Sequence, residues 1–206
     1  DPFVQVFRHV GTTAQDAPRS VIWIHRPVEV HDRDRIALLT PAAASQFTVS
    51  IDFDTPLIGA QSLSLALDDV ACMDQLARAR TFGFRAQLEH LQARGLALGG
   101  SLNNAILVDG DRVVNEGGLR FADEFVRHKL LDCIGDLSLA GAPIMGHFYA
   151  HRPGHVLNQA LLAELFMQQD AWTRLPWADF EALWRTVQEQ AENADPVRGR
   201  PGTLAH

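Results

Sequence analysis

Residues 121–172, FADEFVRHKLLDCIGDLSLAGAPIMGHFYAHRPGHVLNQALLAELFMQQDAW, change their hydrophobic period twice. From Phe121 the apolar residues recur at helical spacing, with acidic residues in the opening turn and Gly141 just past the end. IMGHFYAHR (144–152) reads as a strand. PGHVLNQALLAELFMQQDAW (153–172) returns to helical spacing, with His155 in its opening turn.

The chain upstream of Phe121 is dominated by alternating runs. VIWIHRPVEVHDRDRIALLTP (21–41) predicts two or three short strands with a turn near Asp32 to Asp34. QFTVSIDF (46–53) and QSLSLAL (61–67) predict another pair, and NAILVDGDRVVN (104–115) a hairpin turning at Asp109-Gly110. Helical spacing marks residues 3–10 (Phe3, Val4, Phe7, Val10), closed by Gly11. It also marks DDVACMDQLARAR (68–80), with Asp68 or Asp69 as N-cap, and RAQLEHLQARG (85–95), ended by Gly95, with TFGF interrupting between them. PWADFEALWRTVQEQAEN (176–193) predicts a last helix, whose Trp177, Phe180 and Trp184 suit packing against the domain. ADPVRGRPGTLAH predicts a disordered tail. Strands come first and helices later without strict alternation, so the fold class is α+β.

The 206 residues are enough for a substantial core. A net charge of −7 argues against a nucleic-acid partner. No run approaches the roughly 18–20 apolar residues of a membrane span. Two cysteines, Cys72 and Cys133, make no disulfide framework and suit a reducing, cytoplasmic setting.

On the helix from Phe121, positions i, i+4 and i+8 share a face, so His128, Asp132 and Asp136 form a polar stripe among apolar neighbours. Two readings stay open: a His–Asp pair that orients the helix, or two ligands of a divalent metal reaching from successive turns. Two donors alone cannot hold zinc. His155, after a strand carrying His147 and His151, raises the second reading, with Asp136 able to accept from one ring nitrogen and fix the tautomer. A helix-capping role for His155 is the alternative. Lys129 is the only lysine in the chain, lies about 100° from His128 around the helix, and offers three rotatable donors to a phosphate or sugar hydroxyl. Arg120 and Arg127 read as ordinary surface charges.

Four segments in this order resemble one family: RARTFGF (78–84), LGGSLNNAILVD (98–109), NEGGLRFADEFVRHKLLDCIGDL (115–137) and GHFYAHRPGHVLNQALL (146–162). The family is the zinc-dependent UDP-3-O-acyl-N-acetylglucosamine deacetylases of lipid A biosynthesis in Gram-negative bacteria. The resemblance implies a two-layer sheet-and-helix domain like the second domain of those enzymes, with Zn2+ as cofactor. It makes His128 and Asp132 two of three zinc ligands and Lys129 a contact to the nucleotide sugar. Asp136 and His155 become the pair in which the histidine protonates the leaving amine. Thr81 becomes a donor to the oxyanion and Phe82 the aromatic beside it. Leu88, Ala97, Leu102, Ala105 and Leu107 line an acyl passage, although a plain core reading fits the same side chains.

The family's third ligand and general base are an adjacent Glu-His pair in a first domain, and His9, His25 and His31 do not follow a Glu. The resemblance therefore divides the chain into 1–18, the end of a first domain and a linker; 19–170, a second deacetylase domain with the acyl-passage insert near 81–108; and 171–206, the C-terminal helix and tail. It implies that the missing first domain acts in cis or in trans. Gln87 stands where an acidic residue is frequent, His25 where a basic one is usual, and Phe47 or Phe53 serves as the aromatic for the uracil. The competing expectations are a non-enzymatic relative that binds a nucleotide sugar or a protein, and another metal hydrolase built on H-x-x-x-D.

Overall fold

The computed structural model describes residues 2–11, 13–67 and 74–194. In chain order the elements are α1 (Pro2–Val10), β1 (Ser20–Ile24), β2 (Val28–Asp32), β3 (Arg35–Thr40), β4 (Ser45–Asp52) and β5 (Ala60–Ala66). They continue with β6 (Thr81–Phe84), α2 (Arg85–Ala93), β7 (Ala105–Asp109), β8 (Arg112–Val113) and α3 (Glu124–Ser138). The last are β9 (Ile144–His151), α4 (His155–Met167), β10 (Trp172–Pro176) and α5 (Trp177–Ala194). The fold is α+β, as expected. The helix expected over 68–80, with its N-cap at Asp68 or Asp69, falls mostly outside the described residues; residues 74–76 are helical.

Strand β9 organises the large sheet. Its first two residues pair in parallel with β1, and the rest lies between antiparallel β3 and parallel β4. The hand-over falls at Gly146, where an added Cβ would stand 2.8 Å from Ile24 Cγ1 and 3.0 Å from the Thr40 carbonyl. β2 and β5 extend the sheet beyond β3 and β4, and β10 pairs with β1.

Along β1 the side chains alternate between two cores, as a period of two requires. Ile22 and Ile24 join the main core, where α3 packs on β4 and β5, and α4 packs on β2, β3 and α3. Val21 joins Met145, Leu175 and Phe180 on the opposite face, beneath α5, with Trp23 and Trp184 packed against them. The C-terminal helix thus packs on the domain by its aromatic side.

Strand β6 was not expected from TFGF, nor β10 from the DAW–TRLP region, where helical spacing was read through Trp172. Helix α3 is shorter than the sequence suggested: Asp123 takes the N-cap position and the described helix ends at Ser138. A smaller sheet joins β6 in parallel to β7 and β7 antiparallel to β8, with α2 packed on β6 and β7. Gly110, at φ +59, makes the β7–β8 turn. Helix α1 forms as expected, yet its Phe3, Val6, Phe7 and Val10 are exposed.

Candidate active site

Helix α3 presents the expected polar stripe at the edge of the core. Phe125, Val126, Leu130, Cys133 and Leu137 anchor its other side and are fully or almost fully buried. His128 and Asp132 therefore sit half-buried on a rigid element. Their Nε2 and Oδ1 atoms are 3.3 Å apart. Two donors about 2.0–2.1 Å from one tetrahedral zinc lie roughly 3.3 Å apart, so this spacing fits two ligands of one ion. Burial holds the His128 imidazole below its ordinary pKa; the Asp132 charge opposes that shift, and Lys129 and His155 reinforce it. A lowered pKa favours the neutral ring that a metal needs. Among the described residues no group of three or more His, Cys, Asp or Glu converges as a metal site. The chain does hold one adjacent Glu-His dipeptide, Glu89-His90; it lies on α2, with His90 exposed.

One turn beyond Asp132, Asp136 meets His155 from α4. His155 Nδ1 lies 3.0 and 2.9 Å from the two carboxylate oxygens. An ionised carboxylate only accepts, so Nδ1 carries the hydrogen and Nε2 faces outward. His155 does not cap its helix; Gly154 holds that position.

Phe82 ties β6 to this helix. Its ring meets Phe125 edge-on at 5.0 Å and His128 at 6.3 Å. Thr81, exposed at the start of β6, lines an apolar cavity of about 700 Å³. Phe82, Gln87, Leu88, Ala97, Leu102, Ala105 and Leu107 also line it, between β6, α2 and β7. All five residues expected for an acyl passage therefore face one cavity, and none belongs to the fully buried core.

Lys129 is half-buried rather than free at the helix surface, with Nζ 3.4 Å from Asp132 Oδ2. It borders a second cavity of about 390 Å³ with Phe53, Asp52, Arg35 and Arg152. Phe47 is buried in the main core against Phe148, so of the two aromatics considered for a nucleobase only Phe53 borders this cavity. Arg152 holds a positive φ of 54°, which is unusual for a side chain of its size. It is fixed there by an ion pair to Asp34 and by donating to the Asp52 carbonyl.

The other histidines lie elsewhere. His147 contacts Thr48, His151 contacts Ser50, and His25 contacts Thr173. Cys133 is buried, and burial pushes its thiol up to about 12; Cys72 lies outside the described residues.

Three features were missed in the sequence. Glu124, fully buried, pairs with Arg80, the residue before Thr81. Asn158, also fully buried, donates to Asp136. Arg120 and Arg127 also act as staples: Arg120, although exposed, donates to the Arg78 and Asn103 carbonyls, and Arg127 to Asp123 and the Gln75 carbonyl. The signal for Asn158 was available, because it falls among Leu157, Leu161 and Leu165 on the apolar face of α4, where an amide needs a reason.

A sequence model of the family LpxC, UDP-3-O-acyl N-acetylglycosamine deacetylase, matches residues 1–167. The chain belongs to this deacetylase family. Relatives named UDP-3-O-acyl-N-acetylglucosamine deacetylase include one from Phenylobacterium zucineum, 50% identical over 83% of this chain and 58% of its own length. Another, from Syntrophus aciditrophicus, is 46% identical over 84% of this chain and 55% of its own length. A third, from Acidithiobacillus ferrooxidans, is 45% identical over 88% of this chain and 60% of its own length. The chain thus spans a little more than half the length of these curated deacetylases, and the stripe on α3 and the His155 turn lie within the matched part.

Proposed function

We propose that this chain forms one half of a zinc-dependent amidase site. That site removes the N-acetyl group of UDP-3-O-acyl-N-acetylglucosamine as acetate in lipid A biosynthesis, in the cytoplasm. The observation that carries the reading is the pairing on one helix face of two donors 3.3 Å apart with an Asp136–His155 pair one turn away. His128 and Asp132 would hold the metal, which when bound acts as a Lewis acid on the amide carbonyl and activates water. The third donor and the general base would come from the part of the relatives' length that this chain does not span. The exposed apolar stripe of α1 supports a partner surface for that part.

The remaining work falls to side chains of this chain. With Nδ1–H held by Asp136, Nε2 is the ring atom left to deliver a proton to the leaving nitrogen. The hydrogen bond to Asp136 fixes the ring plane. In this reading Thr81 Oγ1 donates to the oxygen on which charge develops. The apolar cavity that Thr81 lines suits an acyl chain, and Lys129 with Phe53 suits the nucleotide sugar. Arg35 and Arg152 in that second cavity are paired with Asp32 and Asp34, and Lys129 with Asp132 at 3.4 Å.

The test supplies in trans the segment of a relative that this chain does not span, and follows acetate release with and without zinc. Activity that needs both, and falls by about 10²–10⁴-fold in His155→Ala, is the expected result. Release unaffected by His155→Ala would overturn the role given to His155. A chain that binds the nucleotide sugar without any acetate release would favour the binding-module alternative.

A further inference from the structure

Asp136 is held from two sides by α4. Its Oδ2 accepts from His155 Nδ1 at 2.9 Å and from Asn158 Nδ2 at 2.8 Å, and its Oδ1 lies 3.0 Å from the same ring nitrogen. His155 and Asn158 are three residues apart, so one helical turn presents both. His155 is largely exposed, with a side chain 63% accessible, whereas Asn158 has no accessible surface.

The surroundings of Asn158 make a structural role a poor explanation. Its other amide hydrogen points to Cys133 Sγ at 3.5 Å, a weak acceptor kept neutral by a thiol pKa pushed up to about 12. Its Oδ1 is buried with no hydrogen-bond partner. A half-satisfied amide among leucines is unfavourable for stability, and an apolar residue would fill the position better. What the amide does supply is one donor aimed at a single carboxylate oxygen. That donor stops the carboxylate from rotating about its Cβ–Cγ bond. A carboxylate fixed in this way presents both oxygens to the ring nitrogen of a side chain that little else restrains.

We propose that Asn158 is a positioning residue of the site: by clamping Asp136 Oδ2 it holds His155 in the Nδ1–H tautomer with Nε2 directed outward. The proposal rests on the deacetylase reading for the purpose of that tautomer, since a proton donor must keep Nε2 toward the leaving group. The clamp itself can be read without turnover. Neutral imidazole left alone interconverts between two tautomers, and the two differ in the nitrogen shifts of the ring.

The experiment uses the 15N-labelled chain above pH 8, where long-range proton–nitrogen correlations report which ring nitrogen of His155 is protonated. Two variants separate a donor from a space-filler. Asn158→Leu keeps a side chain branched at the same carbon and removes the donor. Asn158→Ser gives up volume and retains a hydroxyl that can donate. The expected result is a single Nδ1–H form in the parent, a mixture of tautomers in Asn158→Leu, and recovery toward the parent in Asn158→Ser. Retention of the Nδ1–H form in Asn158→Leu would overturn the proposal, as would loss in Asn158→Ser equal to that in Asn158→Leu. Should neither variant fold, the parent still decides. A side-chain amide proton of Asn158 must exchange with water more slowly than those of exposed Asn103, and equal exchange overturns the clamp. Because none of these readouts uses acetate release, failure of the clamp and failure of the deacetylase reading are separate results.

Discussion

Glu124 gathers four short hydrogen bonds from two arginines. It is fully buried and accepts from the backbone N–H and the guanidinium of Arg80, at 2.9 to 3.1 Å, and from the Arg120 N–H at 2.6 Å. Burial by itself raises its pKa; the hydrogen bonds from Arg80 and Arg120 and the Arg80 charge outweigh it and leave the group below its usual 4.5. A carboxylate depressed in the folded state contributes stability that is present above its unfolded pKa and lost as pH falls through the folded one. Unfolding followed by urea should therefore show parent stability falling with pH below about 4.5, with a shallower fall in Glu124→Gln. Glu124→Ala, which strands the buried Arg80 guanidinium, should cost about 3–5 kcal/mol at pH 7. The sequence marked Glu124 only as an acid in a helix's first turn. Its actual partner lies 44 residues away, and no local period reports a contact of that range.

At the scale of elements, β9 shows what a local reading can and cannot find. Its alternation was plain in IMGHFYAHR, but the reason for Gly146 appears only where β1 hands over to β3. Gly146→Ala should destabilise the fold by about 1–3 kcal/mol through overpacking against Ile24 and the Thr40 carbonyl. Thermal unfolding would measure the loss, and far-ultraviolet circular dichroism should stay that of the parent. Strands β6 and β10 escaped the sequence for a related reason. TFGF is too short to show alternation, and becomes a strand because β7 offers parallel partners from Ala105 to Val108. WTRLP follows directly on a helical pattern, and its pairing partner β1 lies about 150 residues earlier in the chain. By contrast, the β7–β8 hairpin and the β2–β3 hairpin were legible, since a turn and its flanking strands are contiguous.

For the molecule as a whole, the second core joins the two ends of the sheet's history: Val21 from β1, Met145 from β9, and Leu175 and Phe180 from the C-terminal part. Phe180→Ala should cost about 3 kcal/mol or slightly more. It should also shift the tryptophan fluorescence, because Trp23, Trp177 and Trp184 surround that ring. Phe180→Leu, which keeps most of the apolar volume, should lose far less, and equal losses would show that α5 is not held through this contact.

The α+β class, the polar stripe on α3 and, through motif order, the deacetylase family are legible in the order of residues alone. Those follow from periods of 2 and 3.6 residues and from short fixed spacings, which the backbone imposes wherever the chain goes. It took the folded chain to bring Phe53 rather than Phe47 to the Lys129 cavity, to brace the strand of Thr81 with Arg80 and Glu124, and to set Asn158 against Asp136. Those facts depend on which distant segments meet, and burial selects them: a polar group taken from water must find its partner wherever the fold brings one.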